Sequence, residues 1–267
     1  MAETYGAGNA VSAVRDGDLL VLRGLHKSFG GVHAVVGASF SVPKGRITGL
    51  IGPNGAGKST VVGLIGGALR PDSGQVEFNG QDVTRRPAYR RARLGLIRTY
   101  QLSSEFRRMT VLENMVAAAP GQRGERFRVL LEGRRSWRRQ ERELVAQART
   151  LLSRFALRDK ENDYADNLSG GQKRLLEIAR SLMASPVLLL LDEPMAGVNP
   201  TFIRTIERYL KEVNEEGVSM LLVEHELDVV ERLCDSVVVM ARGEVIANGK
   251  MAEVRTRPEV RNAYLVG

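Results

Sequence analysis

Several features that often reveal the class of a protein are scarce in this chain. Cys234 is the single cysteine among 267 residues, which excludes an internal disulfide and is typical of a reducing compartment. Unbroken apolar runs are short, as at residues 187–191, whereas a membrane-spanning helix needs roughly 18 such residues. The first residues have neither a basic start nor an apolar stretch, so we expect no export signal. The composition therefore predicts a globular chain that does not cross a bilayer by itself.

Aromatic residues are also few, at 5% of the chain, whereas arginine is abundant and gives much of the net charge of +8. The arginines concentrate in two runs, residues 85–93 and 134–142. Such runs can bind nucleic acid, but Trp137 within the second run is a single ring and not a stacking surface. We therefore expect no nucleic-acid partner and interpret the runs as solvated helix faces, whose charge favours anionic membrane headgroups.

Strands and helices are predicted in alternation, which is typical of a mainly parallel sheet covered by helices. We expect a loose tail at residues 1–17 and one domain at 18–267. Within that domain, a helical subdomain is predicted at about 102–168, where strand patterns largely disappear, and a short tail at about 251–267. The predicted strands are 19–22, 35–42, 46–51, 75–78, 187–191, 218–223, 237–240 and 244–247, and the predicted helices include 58–69, 173–184, 201–214 and 226–233.

A glycine-rich segment, GPNGAGKST, lies between a predicted strand and a predicted helix. Its glycines let backbone N–H groups face phosphates, Lys58 supplies a positive charge, and the Ser59 hydroxyl suits Mg²⁺. The flanking strand and helix favour this interpretation over a turn without ligand. The predicted nucleotide-binding residues of the segment are Gly52, Pro53, Asn54, Gly55, Ala56, Gly57, Lys58, Ser59 and Thr60.

The segment LLLLDEP follows later in the chain. Its four leucines predict a buried strand, and Asp192 emerges at the carboxyl end, where ligands bind in open α/β sheets. We predict that Asp192 holds Mg²⁺, usually through water, and that Glu193 polarises the water that attacks a γ-phosphate. Two acids can also simply cap a following helix, but an apolar strand downstream of a phosphate loop favours the catalytic role.

The segment LSGGQ precedes a predicted helix. Ser169 is suited to cap that helix, while Gly170 and Gly171 leave backbone donors open, which predicts a second anion site at a helix N-terminus. An isolated LSGG is more often an ordinary helix start. Between a phosphate loop and LLLLDEP it indicates that one chain has two phosphate-binding surfaces. The predicted signature residues are Leu168, Ser169, Gly170, Gly171 and Gln172.

With these motifs in this order, the chain resembles an ATP-binding cassette (ABC) nucleotide-binding domain over nearly its full length. The resemblance implies an α/β fold with a P-loop NTPase (RecA-like) core, an antiparallel β subdomain and an inserted α-helical ABC subdomain. It also implies a head-to-tail dimer, in which LSGGQ of one subunit acts in trans and closes over ATP on the phosphate loop of the other.

Three further residues receive roles from this resemblance by their positions. Phe29 would stack on adenine, Gln101 would contact Mg²⁺ and the γ-phosphate, and His225 would contact the γ-phosphate. Taken alone, Phe29 can equally be a core residue, Gln101 a solvated loop residue and His225 a helix-start residue. Their register with the other motifs favours the functional roles. The implied catalytic residues are Glu193, His225 and Gln101, and the implied metal ligands are Ser59, Gln101 and Asp192.

Within the family, the chain is most similar to the ATPases of branched-chain amino-acid importers. The arginine-rich segment around residues 127–143 also fits that group better than the lipopolysaccharide-exporter ATPases. Two residues depart from the family pattern. Lys173 follows LSGGQ where a second glutamine is common. Asn199 replaces the aspartate of many D-loops, which puts communication between the two ATP sites in question, although AGxNP is usual in this subgroup. The matching segments are IRTYQ at 97–101, MTVLEN at 109–114, LLEIARSLM at 175–183, DEPMAGVNP at 192–200 and the ending AYLVG.

The resemblance implies the ATP-hydrolysing motor of an importer for branched-chain amino acids or related small polar solutes. The expected cofactors are ATP and Mg²⁺. The expected partners are a second ABC ATPase subunit, identical or paralogous, two transmembrane permease subunits that dock near residues 103–113, and indirectly an extracytoplasmic substrate-binding protein. Such a subunit would work at the cytoplasmic face of the cell membrane. The alternatives are the ATPase of a lipid or polysaccharide exporter and a soluble non-transport ABC ATPase, while a P-loop GTPase-like switch would need an NKxD-type motif that the sequence lacks.

Overall fold

The computed structural model describes residues 17–99, 104–121 and 134–265. The chain divides into two compact units, Met1–Pro87 with Ser219–Gly267, and Ala88–Val218. The strands are β1 (Leu20–Phe29), β2 (Val32–Val42), β3 (Ile47–Ile51), β4 (Ser73–Phe78), β5 (Gln81–Asp82), β6 (Leu96–Arg98), β7 (Leu188–Asp192), β8 (Ser219–Val223), β9 (Ser236–Ala241) and β10 (Glu244–Gly249). The helices are α1 (Lys58–Gly66), α2 (Ala88–Ala92), α3 (Ser104–Arg107), α4 (Val111–Ala117), α5 (Arg134–Arg154), α6 (Gly170–Leu182), α7 (Pro200–Glu215), α8 (Leu227–Leu233), α9 (Met251–Val254) and α10 (Pro258–Leu265).

The first unit contains a four-stranded antiparallel sheet in the order β2, β1, β4, β5. Leu20 pairs with Val42 on one side and with Phe78 on the other, and all three side chains are buried. Asn79 and Gly80 form the turn between β4 and β5 with φ of 50° and 72°, the left-handed conformations that a tight Asn-Gly hairpin turn requires. This sheet supports the end of β1, where Phe29 lies.

The first unit also contains the strands that lead to the phosphate loop. Strand β3 pairs in parallel with β8 and with β9, and β10 pairs antiparallel with β9. Every residue of β3 and β8 is buried, and parallel strands covered on both faces are apolar throughout rather than alternating. Because β3 and β8 are parallel neighbours, the segments that follow them begin at the same edge. The phosphate loop and His225 occupy these two positions.

The C-terminal helices pack against the strand that precedes the phosphate loop. A buried cluster contains Ile51, the last residue of β3, together with Met251 and Val254 of α9 and Val260 of α10. Burial of each such apolar side chain contributes roughly 1.5–3 kcal/mol. Met251, Val254 and Val260 are therefore part of the core of the first unit.

The second unit joins a parallel strand pair to amphipathic helices. Strands β6 and β7 pair in parallel. Helix α6 buries Leu175, Leu176 and Ile178, a pattern typical of a helix with one apolar face. Phe155 and Tyr209 contact each other with ring centroids 4.9 Å apart, which joins the residue directly after α5 to α7.

The predicted alternation of strands and helices and the parallel pairing of the core strands are confirmed. Helix α1 is shorter than predicted because Gly67 takes the left-handed conformation, with φ of 78°, and this ends a helix. Strand β1 is longer than predicted, and its pairing with β2 shifts register between Leu22 and Leu25. Across the described ranges, no helix is long and apolar enough to span a membrane.

The first arginine run is only partly solvated. Arg90 and Arg93 are exposed, and their guanidinium groups lie 5.8 Å and 5.5 Å from the ring centroid of Tyr89. Arg91 is 1% exposed. The prediction of a solvated helix face is therefore wrong at Arg91, because the short helix α2 turns this basic side chain inward.

Candidate nucleotide-binding site

The glycine-rich segment connects β3 to α1 and is closely packed against neighbouring backbone. A β-carbon at Gly52 would lie 2.1 Å from the carbonyl oxygen of Met240, and one at Gly57 would lie 2.4 Å from that of Ala34. Gly57 also has a left-handed φ of 97°. Both positions therefore need glycine. Because Gly57 has no side chain to cap α1, the first N–H groups of that helix are suited to an anion.

Lys58 brings a positive charge to this loop. Its side chain is 6% exposed, and its Nζ donates to the carbonyl oxygens of Gly52 at 2.7 Å and Pro53 at 2.9 Å. A buried ammonium group is favourable only with such partners, and a bound phosphate would add a charged one. Ser59 is exposed in the first turn of α1, and Thr60 is half-buried.

Asn54, Gly55 and Ala56 complete the loop. Asn54 and Gly55 are exposed, whereas Ala56 is buried. The amide of Ala56 donates to the carbonyl oxygen of Pro53 at 3.2 Å, and its own carbonyl accepts from the Gly243 amide at 3.1 Å. The loop therefore has a fixed base and an accessible rim.

Phe29 and His225 have exposed side chains in the first unit. Phe29 is 47% exposed and ends β1, so it is more accessible than a core residue. His225 follows β8, and its backbone N–H donates to the Glu224 carboxylate at 3.3 Å. Glu224 is only 3% exposed, so this hydrogen bond ties the backbone of His225 to a buried side chain.

Asp192 is the last residue of β7 in the second unit. Its carboxylate accepts a hydrogen bond at 2.8 Å from Arg98, the last residue of β6, and both side chains are largely buried. The parallel pairing of β6 and β7 brings these two strand ends together. Glu193 follows with φ of 49°, a left-handed conformation that is uncommon outside glycine. Such conformations concentrate at functional sites.

The signature segment forms a capped helix start in the same unit. Ser169 Oγ accepts a hydrogen bond from the backbone N–H of Gln172 at 3.3 Å, and Gln172 Oε1 accepts one from the backbone N–H of Ser169 at 2.9 Å. This reciprocal pair is a capping box. A β-carbon at Gly171 would lie 2.3 Å from the Phe202 ring, so Gly171 allows a close approach of α7. Gly170 is exposed and Leu168 is buried.

Asn199, which stands where many D-loops have aspartate, has a clear structural role. Its Oδ1 accepts a hydrogen bond from the Thr201 amide at 2.9 Å and so caps α7. Asparagine and aspartate are equally good helix caps. The substitution therefore retains the local helix start.

The structure also identifies contacts that sequence reasoning missed. Arg98 holds Asp192, a role that the resemblance of its segment IRTYQ to the family does not predict. Tyr264 of the ending AYLVG accepts a hydrogen bond from the Gly52 amide, and burial raises the pKa of its phenol to about 12. Gln101 lies outside the described residues. Neither the Arg98–Asp192 contact nor the Tyr264–Gly52 contact has a local sequence pattern, because each joins residues that are distant in the chain.

The side chains predicted to hold Mg²⁺ are chemically suitable. Mg²⁺ prefers oxygen ligands and is commonly bound through one or two carboxylates, waters and substrate phosphates. Ser59 offers an exposed hydroxyl at the phosphate loop, and Asp192 offers a carboxylate at the end of β7. Each of these two oxygen donors, taken by itself, is of a kind that binds Mg²⁺.

Comparisons with known proteins agree with these observations. The family model for ABC transporters matches residues 35–196. The probable branched-chain amino acid transport ATP-binding protein LivG of Archaeoglobus fulgidus is 42% identical over 247 residues, which are 92% of this chain and 95% of that protein. The high-affinity branched-chain amino acid transport ATP-binding protein LivG of Salmonella typhimurium is 37% identical over 249 residues, 92% of this chain and 97% of that protein.

Solved structures give the same result. A crystal structure of the ADP conformation of an ATP-binding cassette of an ABC transporter matches with a TM-score of 0.83 at 35% identity, covering 94% of this chain and 99% of that one. A nucleotide-free cassette matches with a TM-score of 0.82, also at 35% identity, covering 92% and 98%. Because the family model matches more than half of the chain and these relatives align over almost all of it, the chain belongs to the ABC transporter family as one of its ATP-binding cassettes.

Proposed function

We propose that this protein is the ATP-hydrolysing motor subunit of an importer for branched-chain amino acids or related small polar solutes. The observation that carries the proposal is the 42% identity over 92% of the chain to a probable branched-chain amino acid transport ATP-binding protein. A shared fold alone would not support a cargo. The match extends over 95% of that protein as well, so it is not confined to the nucleotide-binding motifs, and this supports the narrower assignment.

In this proposal, ATP binds with its phosphates at the start of α1 and its adenine on Phe29. The loop amides and the Lys58 ammonium group neutralise phosphate charge. Ser59, Asp192 and Gln101 would hold Mg²⁺, and the bound ion would neutralise part of the phosphate charge. Arg98 orients the Asp192 carboxylate through their ion pair of 2.8 Å.

Hydrolysis then needs a positioned water and a proton acceptor. Water attacks the γ-phosphorus in line with the bond to ADP, that bond breaks, and the water proton passes to the Glu193 carboxylate. We assign contacts with the γ-phosphate to His225 and Gln101. The left-handed backbone at Glu193 supports a specialised role, since such a conformation is retained where it aims a side chain.

The proposed active form contains two cassettes in a head-to-tail arrangement. Ser169 and Gly170 at the N-terminus of α6 would meet the γ-phosphate of ATP on the partner cassette, whether identical or paralogous. The two cassettes would close on ATP and open again at the cytoplasmic face of the cell membrane, and two permease subunits would use this motion for transport. A substrate-binding protein on the other side of the membrane would deliver the cargo. ATP binding favours the closed dimer, and product release lets it part.

A cavity in the second unit is our candidate for the permease docking site. It has a volume of about 320 Å³, and its lining includes Ile97, Arg93, Glu177 and Arg180. Phe106, within the predicted docking segment, lies against Arg180 with the guanidinium carbon 4.2 Å from the ring centroid. Apolar walls with several arginines suit a cytoplasmic helix that has an apolar face and a carboxylate.

The decisive experiment combines purification with transport. The tagged chain is purified from gently solubilised membranes of its host, and we expect two multispanning permeases and a second cassette ATPase to remain bound. In a strain without the gene, wild-type protein should restore uptake of labelled leucine, and the matched Lys58→Ala variant should not. Recovery of ribosomal or DNA-associated proteins without a permease would disprove the transporter assignment. If the strain without the gene takes up leucine normally but is defective in lipid or polysaccharide export, the exporter alternative is favoured.

A further inference from the structure

The ammonium group of Lys27 lies over the ring of Phe29. The distance from Nζ to the ring centroid is 5.4 Å, within the range of about 6 Å for a cation–π interaction. Nζ also donates a hydrogen bond to Oδ1 of Asp72 at 2.7 Å, and the Lys27 side chain is only 18% exposed. Partial removal from water strengthens both contacts. Lys27 therefore has a defined position rather than that of a freely moving surface lysine.

Asp72 is itself fixed to both neighbours of Lys27. Its backbone N–H donates to the carbonyl oxygen of His26 at 2.9 Å, and its Oδ2 accepts from the Ser28 amide at 2.7 Å. The hydrogen bond from Lys27, followed by that from Ser28, holds the pKa of the Asp72 carboxyl below its usual range. The turn after α1 thus binds β1 on either side of Lys27.

Phe29 needs such support because of where it lies. It pairs with Val32 across a two-residue hairpin turn, in which Gly30 has a left-handed φ of 56°. A half-exposed ring at a hairpin end loses rotamer freedom when it binds a ligand, and this loss weakens binding. A ring already held by a neighbour loses less.

We propose that Lys27, held by Asp72, positions the Phe29 ring for adenine and so determines affinity for the base of the nucleotide but not for its phosphates. This inference rests on the proposed function, in which Phe29 stacks on adenine. An aromatic ring has two equivalent faces, and Lys27 covers one of them. The other face is the one that receives the base. Lys27 and Asp72 are thus positioning residues that act through Phe29.

The test separates the base from the phosphates of the nucleotide. Dissociation constants for ATP and for inorganic tripolyphosphate, which has no base, are measured calorimetrically on the full chain. Lys27→Met should weaken ATP binding about two- to five-fold, as expected for loss of one cation–π contact, and leave tripolyphosphate binding unchanged.

Asp72→Asn should act in the same direction, because its amide still accepts from Ser28 but no longer holds the ammonium group. The matched control Lys44→Met removes a charge from an exposed lysine of the same unit and should change neither constant.

Two further variants distinguish this inference from its alternatives. Lys27→Arg should retain ATP affinity, because a guanidinium group also stacks on a ring and pairs with a carboxylate. In a Phe29→Ala background, Lys27→Met should have no additional effect on ATP, since coupled residues are not additive.

Each contrary result has a distinct meaning. Equal weakening of ATP and tripolyphosphate by Lys27→Met would overturn the inference, because Lys27 would then act through its charge on the phosphates. If Phe29→Ala weakens ATP binding while Lys27→Met and Asp72→Asn do not, the inference is wrong but adenine stacking stands. If Phe29→Ala leaves ATP affinity unchanged, the stacking assignment itself is wrong.

Discussion

Glu193 combines a carboxylate at the end of a buried strand with an unfavourable backbone conformation. Its φ of 49° is in a region that costs a non-glycine residue of order 1–3 kcal/mol. Asp192, one residue earlier, still has strand geometry. The chain therefore turns sharply between the proposed metal ligand and the proposed base, which lets adjacent carboxylates take different directions and different roles.

Glu193→Gln tests the proposed base with little change in side-chain size. Hydrolysis should fall about 10²- to 10⁴-fold, the usual contribution of general base catalysis, while the ATP dissociation constant stays within about two-fold because the phosphate-loop contacts remain. Phosphate release and calorimetry measure the two quantities. Glu212→Gln changes a partly exposed acid of the same unit, ion-paired with Arg208, and serves as the control. Wild-type hydrolysis by Glu193→Gln would remove this residue from the mechanism.

Cys234 allows a separate test of the core of the first unit. Burial, with smaller effects from Asp235 and Glu224, raises the pKa of its thiol to about 12. At pH 8 such a thiol has about one thiolate in ten thousand molecules, and the thiolate is the reactive form. Native protein should therefore react with iodoacetamide about three orders of magnitude more slowly than denatured protein. Mass spectrometry with time measures both rates, and similar rates in the two states would contradict the partly buried position of Cys234.

At the scale of whole elements, local sequence predicts some features well and others not at all. The apolar runs of β3, β7 and β8 are predictable because strands buried on both faces need no alternation. The start of α6 is predictable from Ser169 and Gln172, which form its capping box. Strand β1 is only partly predictable, because its register shifts interrupt the period of two.

The contacts that orient the site residues were not predictable in the same way. Arg98 and Asp192 are 94 positions apart, and Lys27 and Asp72 are 45 apart. Each pair exists only because two elements are packed together, and no local pattern encodes that packing. Motifs of consecutive residues therefore predict the chemistry, whereas the residues that hold those motifs in place are visible only in the structure.

Helix α3 allows a test of the proposed docking cavity. In Phe106→Asp the ring over Arg180 is replaced by a carboxylate, which can pair with the guanidinium group and compete with a carboxylate of a permease helix. Leucine uptake should fall at least about ten-fold, a loss of roughly 1.4 kcal/mol in docking, with unchanged ATP binding by the purified protein. Phe106→Leu retains an apolar side chain and should keep most of the uptake. Normal uptake with Phe106→Asp would show that permeases dock elsewhere.

At the scale of the whole molecule, the motifs are divided between the two compact units. The phosphate loop and His225 belong to the first unit, whereas Asp192, Glu193 and the signature segment belong to the second. Each unit by itself therefore lacks part of the proposed chemistry. In the proposed head-to-tail dimer, the signature segment serves a different site from the phosphate loop of its own chain.

Mixing inactive variants tests which motifs share a site. Lys58→Ala disables the phosphate loop, and Ser169→Arg blocks the signature segment. If the sites are formed in trans, a mixed dimer has one site with both defects and one intact site, so random pairing should restore about a quarter of wild-type hydrolysis. Lys58→Ala mixed with Glu193→Gln is the matched control: both residues act at the ATP of their own chain, so neither site of that mixed dimer is intact and hydrolysis should stay low. Two results would contradict the head-to-tail arrangement: recovery of hydrolysis in the control mixture, or no recovery when Lys58→Ala is mixed with Ser169→Arg. Both follow because the pattern of rescue depends only on which chain supplies each motif.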